Sequence, residues 1–158
     1  MKLGLNRLVC IVCGTIACIG VVFLFLTPLK TELLNATKAL TLKQAYFSKE
    51  GTIIPVICFI LLPIGGLCTV MFGLSKNKTV GFVGMGILLL SAILLFCTES
   101  IYLTSKAINN GIPFGDISKY IDASKNMVSL GLGPILGGVC GLIGGLATPV
   151  VLFVFEED

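Results

Sequence analysis

Residues 130–155 read LGLGPILGGVCGLIGGLATPVVLFVF, a run without a single charged side chain. A helix rising 1.5 Å per residue needs roughly 20 apolar residues to cross about 30 Å of hydrocarbon, and this run exceeds that. Three runs upstream meet the same test, approximately Leu8–Leu29, Thr52–Ser75 and Val80–Thr104, and only Glu99 carries a formal charge within any of them. The composition agrees: of 158 residues, 56% are hydrophobic and 12% charged, with a mean hydropathy of +1.05. A soluble domain is about 25% charged, and half that supply cannot cover an apolar chain of this size in water. Backbone polar groups in lipid must be bonded within a helix or a closed barrel, and four spans cannot close a barrel. The expected fold is an all-α membrane protein, a four-transmembrane-helix bundle.

Within the same run, Gly133, Gly137, Gly141 and Gly145 recur every four residues, and Gly138 and Gly144 widen the face they share. A helix face without side chains lets backbones approach closely, which is how helices associate in lipid. These glycines are candidates for helix packing inside the bundle or for an interface with a partner. The second span carries a matching passage. Ile64-Gly65-Gly66-Leu67-Cys68-Thr69 corresponds to Ile143-Gly144-Gly145-Leu146-Ala147-Thr148, and Pro55 to Pro134, all 79 positions apart. Phe25-Leu26-Thr27 corresponds to Tyr102-Leu103-Thr104 at an offset of 77, and Lys43, Ser48 and Lys49 to Lys119, Ser124 and Lys125 at 76. Matches in order, across spans and loop, read as a duplicated helical hairpin, with repeats at 1–79 and 80–158 forming one integrated domain. Each unit has an even number of spans, so the copies are parallel and related by a pseudo-two-fold axis along the membrane normal. Gly65 and Gly66 then face the fourth-span glycines across that axis as part of the same candidate interface.

Between spans two and three only Lys76, Asn77, Lys78 and Thr79 remain, a tight antiparallel turn. The other two connections are long, and each is expected to hold a short helix. Thr41 and Gln44 have the spacing of a capping box, and Asp116 is placed to cap a helix over Ile117–Met127. Both helices are expected in the membrane interface, with Lys43, Lys49, Lys119 and Lys125 reaching lipid headgroups. The size and duplicated hairpin resemble the proteolipid subunits of rotary ATPases, but the fourth span has no carboxylate. The loop pattern is similar to claudin-type tetraspans, but their extracellular Trp and paired Cys signature is absent. Neither resemblance transfers a residue or an activity. Lys2 and Arg7 ahead of the first span favour a cell-membrane protein with both termini cytoplasmic, against a larger but more dispersed lysine count on the long-loop side. Asn35-Ala36-Thr37 would then be an external glycosylation acceptor.

Glu99 is the single acidic group assigned to a span and so a candidate ion or proton site. Its shallow depth, five residues before the end of the third run, also suits an interfacial carboxylate. Cys10, Cys13, Cys18, Cys58, Cys68, Cys97 and Cys140 all fall in the spans, where thiols behave as small apolar groups. Cys10-Ile11-Val12-Cys13 is the one arrangement with a redox reading. The chain has no His and no Trp, and with a net charge of +3 and no Lys/Arg run it is a poor match for nucleic acid. No catalytic residue, metal site or cofactor is expected. The expected function is a non-enzymatic assembly or partner-binding role, as an accessory or structural subunit, with membrane lipid and either a second copy or another membrane protein as partners. The alternative is a small ion or solute channel or transporter using Glu99, and a redox enzyme using Cys10 and Cys13 ranks third.

Overall fold

A computed structural model describes residues 5–33, 36–41, 44–45, 54–75 and 77–154. Among the described residues six α-helices dominate: α1 (Leu5–Phe23), α2 (Ile54–Ser75), α3 (Lys78–Phe96), α4 (Thr98–Asn109), α5 (Ile117–Ser124) and α6 (Leu132–Val154). Three short strands accompany them: β1 (Leu29–Leu33), β2 (Ala36–Ala39) and β3 (Val128–Leu130). Among the described residues three helices are long and apolar enough to cross a membrane, over Val56–Ser75, Lys78–Phe96 and Leu132–Val151, and α1 supplies a shorter apolar stretch, Arg7–Phe23.

α1, α2, α3 and α6 form a ring. α1 and α3 each pack against both α2 and α6, and α2 touches α6 across the diagonal. Successive neighbours run antiparallel, so the start of α1, the α2–α3 turn and the end of α6 share one end, here the terminal side. The turn is sharpened by Asn77, whose side-chain oxygen accepts from the Thr79 N–H at 3.1 Å and caps α3. The middle of the ring holds Ala17, Leu24, Cys58, Leu62, Leu88 and Leu95, and a smaller group, Cys10 and Phe72 with Val151 against them, closes the terminal side.

Two of the expected spans are cut short. The first helix ends at Phe23 instead of running to Leu29: its last turn tightens into three-residue bonds, Leu24 to Val21, Phe25 to Val22 and Leu26 to Phe23, and Pro28 follows. The third run bends at Cys97, separating α3 from α4. Thr98 there turns its hydroxyl back onto the Leu94 carbonyl at 3.3 Å, a bond that competes with the helix ladder and bends it. Asp116 occupies the cap position of α5 but makes no capping bond, its carboxylate instead meeting Lys119 at 2.9 Å, and α5 stops at Ser124. The Thr41–Gln44 capping box is present, with Thr41 N–H donating to Gln44 Oε1 at 3.2 Å and Gln44 N–H to Thr41 Oγ1 at 3.4 Å. Gly111, at φ 73°, ends α4 in a left-handed cap with Gly111 N–H on Ile108 O and Ile112 N–H on Ala107 O.

The long loops are joined by a feature that no span count foresees, a three-stranded antiparallel sheet of order β2-β1-β3. β1 and β2 make a hairpin in register Lys30 with Ala39, and β3, from the second loop, pairs on the other side with Leu29 opposite Leu130 and Thr31 opposite Val128. Beneath it Leu29, Ala45, Tyr102, Leu103 and Val128 form a second core. Ile121 packs against that core, so α5 turns an apolar side chain to protein where a lipid interface was expected. The sheet continues into a backbone clamp: Gly131 N–H donates to Pro28 O at 3.0 Å and Gly133 N–H to Thr27 O at 3.1 Å. Two amides at the start of α6, which have no partner inside their own helix, are thus satisfied by the chain leaving α1.

A Cβ at Gly131 would overlap the Thr27 carbonyl, whereas one at Gly86, exposed on α3, would meet nothing within 4 Å. Gly131→Ala should therefore lower the thermal midpoint in detergent, at about 1–3 kcal/mol for a forced clash. Gly86→Ala should raise it by up to about 1 kcal/mol, the helix-propensity gain. Equal behaviour of the two variants would contradict the clamp.

Candidate functional site

The glycines assigned to the candidate interface are all buried, and each is pressed against another helix of the same chain. A Cβ built on Gly144 would lie 2.7 Å from the Ala17 Cβ of α1 and 2.9 Å from Leu88 of α3; one on Gly137 would lie 2.7 Å from Leu24. Gly133 backs onto the carbonyls of Phe23 and Leu26, Gly138 onto the Phe96 ring, and Gly145 onto Leu88 and Leu89. Gly141 sits at the centre, with Leu62 of α2 at 3.2 Å and the Leu88 carbonyl of α3 at 3.3 Å from such a Cβ. In α2 the neighbours divide in the same manner: Gly65 meets Leu88 of α3, while Gly66 meets Gly14 and Cys18 of α1. Side chains of one helix enter notches that glycine leaves in the next, and contact dispersion, which drives association in lipid, depends on that closeness.

The cysteines take part in the same scheme. Cys18 lies against Gly66, Cys140 against Gly20, Cys10 against Gly73 and Cys68 against Gly84, each within 3.0 Å of where a Cβ would stand. At Gly66 the close atom is the Cys18 Sγ, and at Gly20, Gly73 and Gly84 it is the cysteine Cβ, so a small side chain stands where two helices approach most closely. None of the cysteines forms a disulfide, and among the described residues no group of three or more His, Cys, Asp or Glu side chains is placed to hold a metal ion. Two thiols also bond across helices, Cys18 Sγ to Pro63 O and Cys58 Sγ to Ser91 O, both at 3.7 Å.

Glu99 lies beyond the bend at Cys97, in the first turn of α4, half-buried. It is therefore not inside a span-length helix, and negative charge in a first helical turn is favoured by the amides there. Among the described residues it makes no ion pair with Lys106. The buried polar side chains of the described residues are Thr69, Ser91, Thr98 and Thr148; Thr69 bonds its own helix and Thr98 the end of α3 across the bend, while Ser91 Oγ and Thr148 Oγ1 have no partner. Lys119 and Lys125 are exposed and held by Asp116 and Asp122 at 2.9 and 3.2 Å. Lys43 and Lys49 lie outside the described residues, as does Asn35 of the glycosylation pattern.

The outer surface is as apolar as the interior is small. Leu8, Val12, Ile19 and Val22 of α1, Ile60, Leu67 and Leu74 of α2, Val83, Leu90 and Ile93 of α3, and Leu132, Val139 and Leu146 of α6 all point outward. No protein-family model, curated protein or solved structure matches the chain.

If the glycine contacts hold the bundle together from within, Gly141→Leu should cost about 1–3 kcal/mol or more through overpacking. The expected result is a lower melting temperature and lower yield in detergent. An unchanged melting temperature would show that Gly141 has room, contrary to its contacts.

Proposed function

We propose that the chain crosses the membrane four times and acts as a non-enzymatic assembly or partner-binding subunit. One observation carries this reading: the bundle is closed at its centre by glycine, cysteine and leucine contacts and presents bulky aliphatic side chains on all four outward faces. α1, although shorter, has an outward row of the same kind and packs against α2 and α6 as α3 does, which supports its counting as a span. Such a surface is stable only in lipid or against another membrane protein. Since the glycine notches are occupied from within, assembly would use the aliphatic rows or the ordered cap of sheet and helices on the loop side.

The duplicated-hairpin reading finds support in how matching glycines exchange partners. Gly65 faces α3 and its counterpart Gly144 faces α1 as well as α3; Gly66 faces α1 and its counterpart Gly145 faces α3. A pseudo-two-fold axis that swaps α1 with α3 and α2 with α6 produces that exchange. The orientation with both termini cytoplasmic rests on Lys2 and Arg7 ahead of the first span, which usually dominates. A conducting role through Glu99 is disfavoured by its place past the bend and by buried hydroxyls that have no charged group among them.

The test combines native mass spectrometry from mild detergent with flux measurements in proteoliposomes. The reading expects a defined oligomer or stoichiometric membrane partner, no ion flux, and assembly unaltered by Glu99→Gln. A strictly monomeric protein whose ion flux is abolished by Glu99→Gln would replace it with the channel.

A further inference from the structure

Five hydroxyls of the helices share one kind of bond, and two buried ones, Ser91 and Thr148, do without it; of these two only Thr148 stands beside a proline. Thr15, Thr69, Ser75, Thr98 and Thr104 each donate to the carbonyl four residues back, at 2.7 to 3.3 Å. Thr148, the counterpart of Thr69 in the second repeat, is completely buried, and its Oγ1 has no partner. The next residue is Pro149, inside α6. Without an N–H it cannot bond the Gly145 carbonyl, so the ladder is broken at the same turn, just after Gly144 and Gly145, residues that resist bending least. A buried hydroxyl and a carbonyl deprived of its donor thus lie within one turn, and each gains a partner if water enters.

The surroundings permit that on one side only. On the loop side the two hairpins are bound by the β1–β3 pairing and by the Gly131 and Gly133 clamp. On the terminal side, the contact described for α6 beyond Pro149 is side-chain packing: Val151 rests against the Cys10 and Phe72 cluster. Thr148 itself rests on α3 at Gly81, where a Cβ would stand 3.0 Å from Thr148 Cγ2 and 2.8 Å from Phe72. We propose that the end of α6 beyond Pro149 is a hinged flap that swings away from α1 and α3 on the terminal side, admitting water to Thr148 and uncovering Cys10. This rests on neither a partner nor Glu99 and stands apart from the proposed function.

Cys10 is the built-in reporter, since it is buried with Val151 over it, whereas Cys58 and Cys140 are buried closer to the middle of the ring. The full chain in detergent is treated with a charged methanethiosulfonate, and the modification rate at each thiol is read by peptide mass spectrometry. Labelling through a fast local opening follows the open population. Cys10 should react well before Cys58 and Cys140. Thr148→Val, which removes the orphaned hydroxyl from the closed state, should slow Cys10 roughly tenfold while leaving the other two unchanged. Pro149→Ala, which restores the backbone bond, should act in the same direction, and Ser91→Ala, away from the hinge, should leave Cys10 labelling unaltered. Cys10 reacting no faster than Cys58 and Cys140, equal Cys10 rates in wild type and Thr148→Val, or a slowing shared by all three thiols would each overturn the flap.

Discussion

Helices in lipid gain nothing from hiding apolar side chains from each other, since the acyl chains are equally apolar; what they gain is close contact. Everything else in this molecule depends on that constraint. Gly14 against Gly66, Gly20 against Cys140, and Gly144 against Ala17 and Leu88 bring α1, α2, α3 and α6 near enough for backbone and small side chains to touch. Bulky aliphatics are consequently turned outward, where a soluble bundle would place charge. Cys10, Cys18, Cys68 and Cys140 belong to the same logic, each lying against a glycine of a neighbouring helix.

Packing contacts are individually weak and carry little direction. The loop-side sheet supplies register through directional bonds. β3 pairs with β1 from a distant part of the chain, and the amides of Gly131 and Gly133 take the Pro28 and Thr27 carbonyls. On the terminal side the directional bonds among the described residues belong to the α2–α3 turn at Asn77, and α6 meets α1 and α2 there by packing, Val151 against Cys10 and Phe72. The bundle is thus tied at one end, and the polar defect at Thr148 and Pro149 lies toward the other.

Much of this is written locally in the sequence. The charge-free run 130–155, the spacing of its glycines and the Thr41–Gln44 box depend on residues within a turn or two. Other features are not local. Leu29-Lys30-Thr31-Glu32-Leu33 and Val128-Ser129-Leu130 alternate with the period of a strand, but both are short and merge with adjoining spans, and their pairing joins segments nearly a hundred residues apart. The bend at Cys97 has no proline or glycine to announce it; the polar group Thr98-Glu99-Ser100 is the signal, and the same group suits Glu99 to an interfacial carboxylate. The amphipathicity of α5 reveals an apolar side without revealing whether protein or lipid covers it. Which helices the glycines face is likewise a property of the assembled ring.

In this bundle the glycine notches are filled from within one chain. Gly20→Cys tests it directly, because the Cβ position at residue 20 lies 2.8 Å from the Cys140 Cβ, within a small adjustment of the 3.5–4.5 Å of a disulfide. After mild oxidation in detergent, non-reducing electrophoresis and peptide mass spectrometry should show a monomer carrying a 20–140 disulfide. A covalent dimer joined through residue 20, with Cys140 of the same chain left as a thiol, would contradict the account and place the glycine face between molecules.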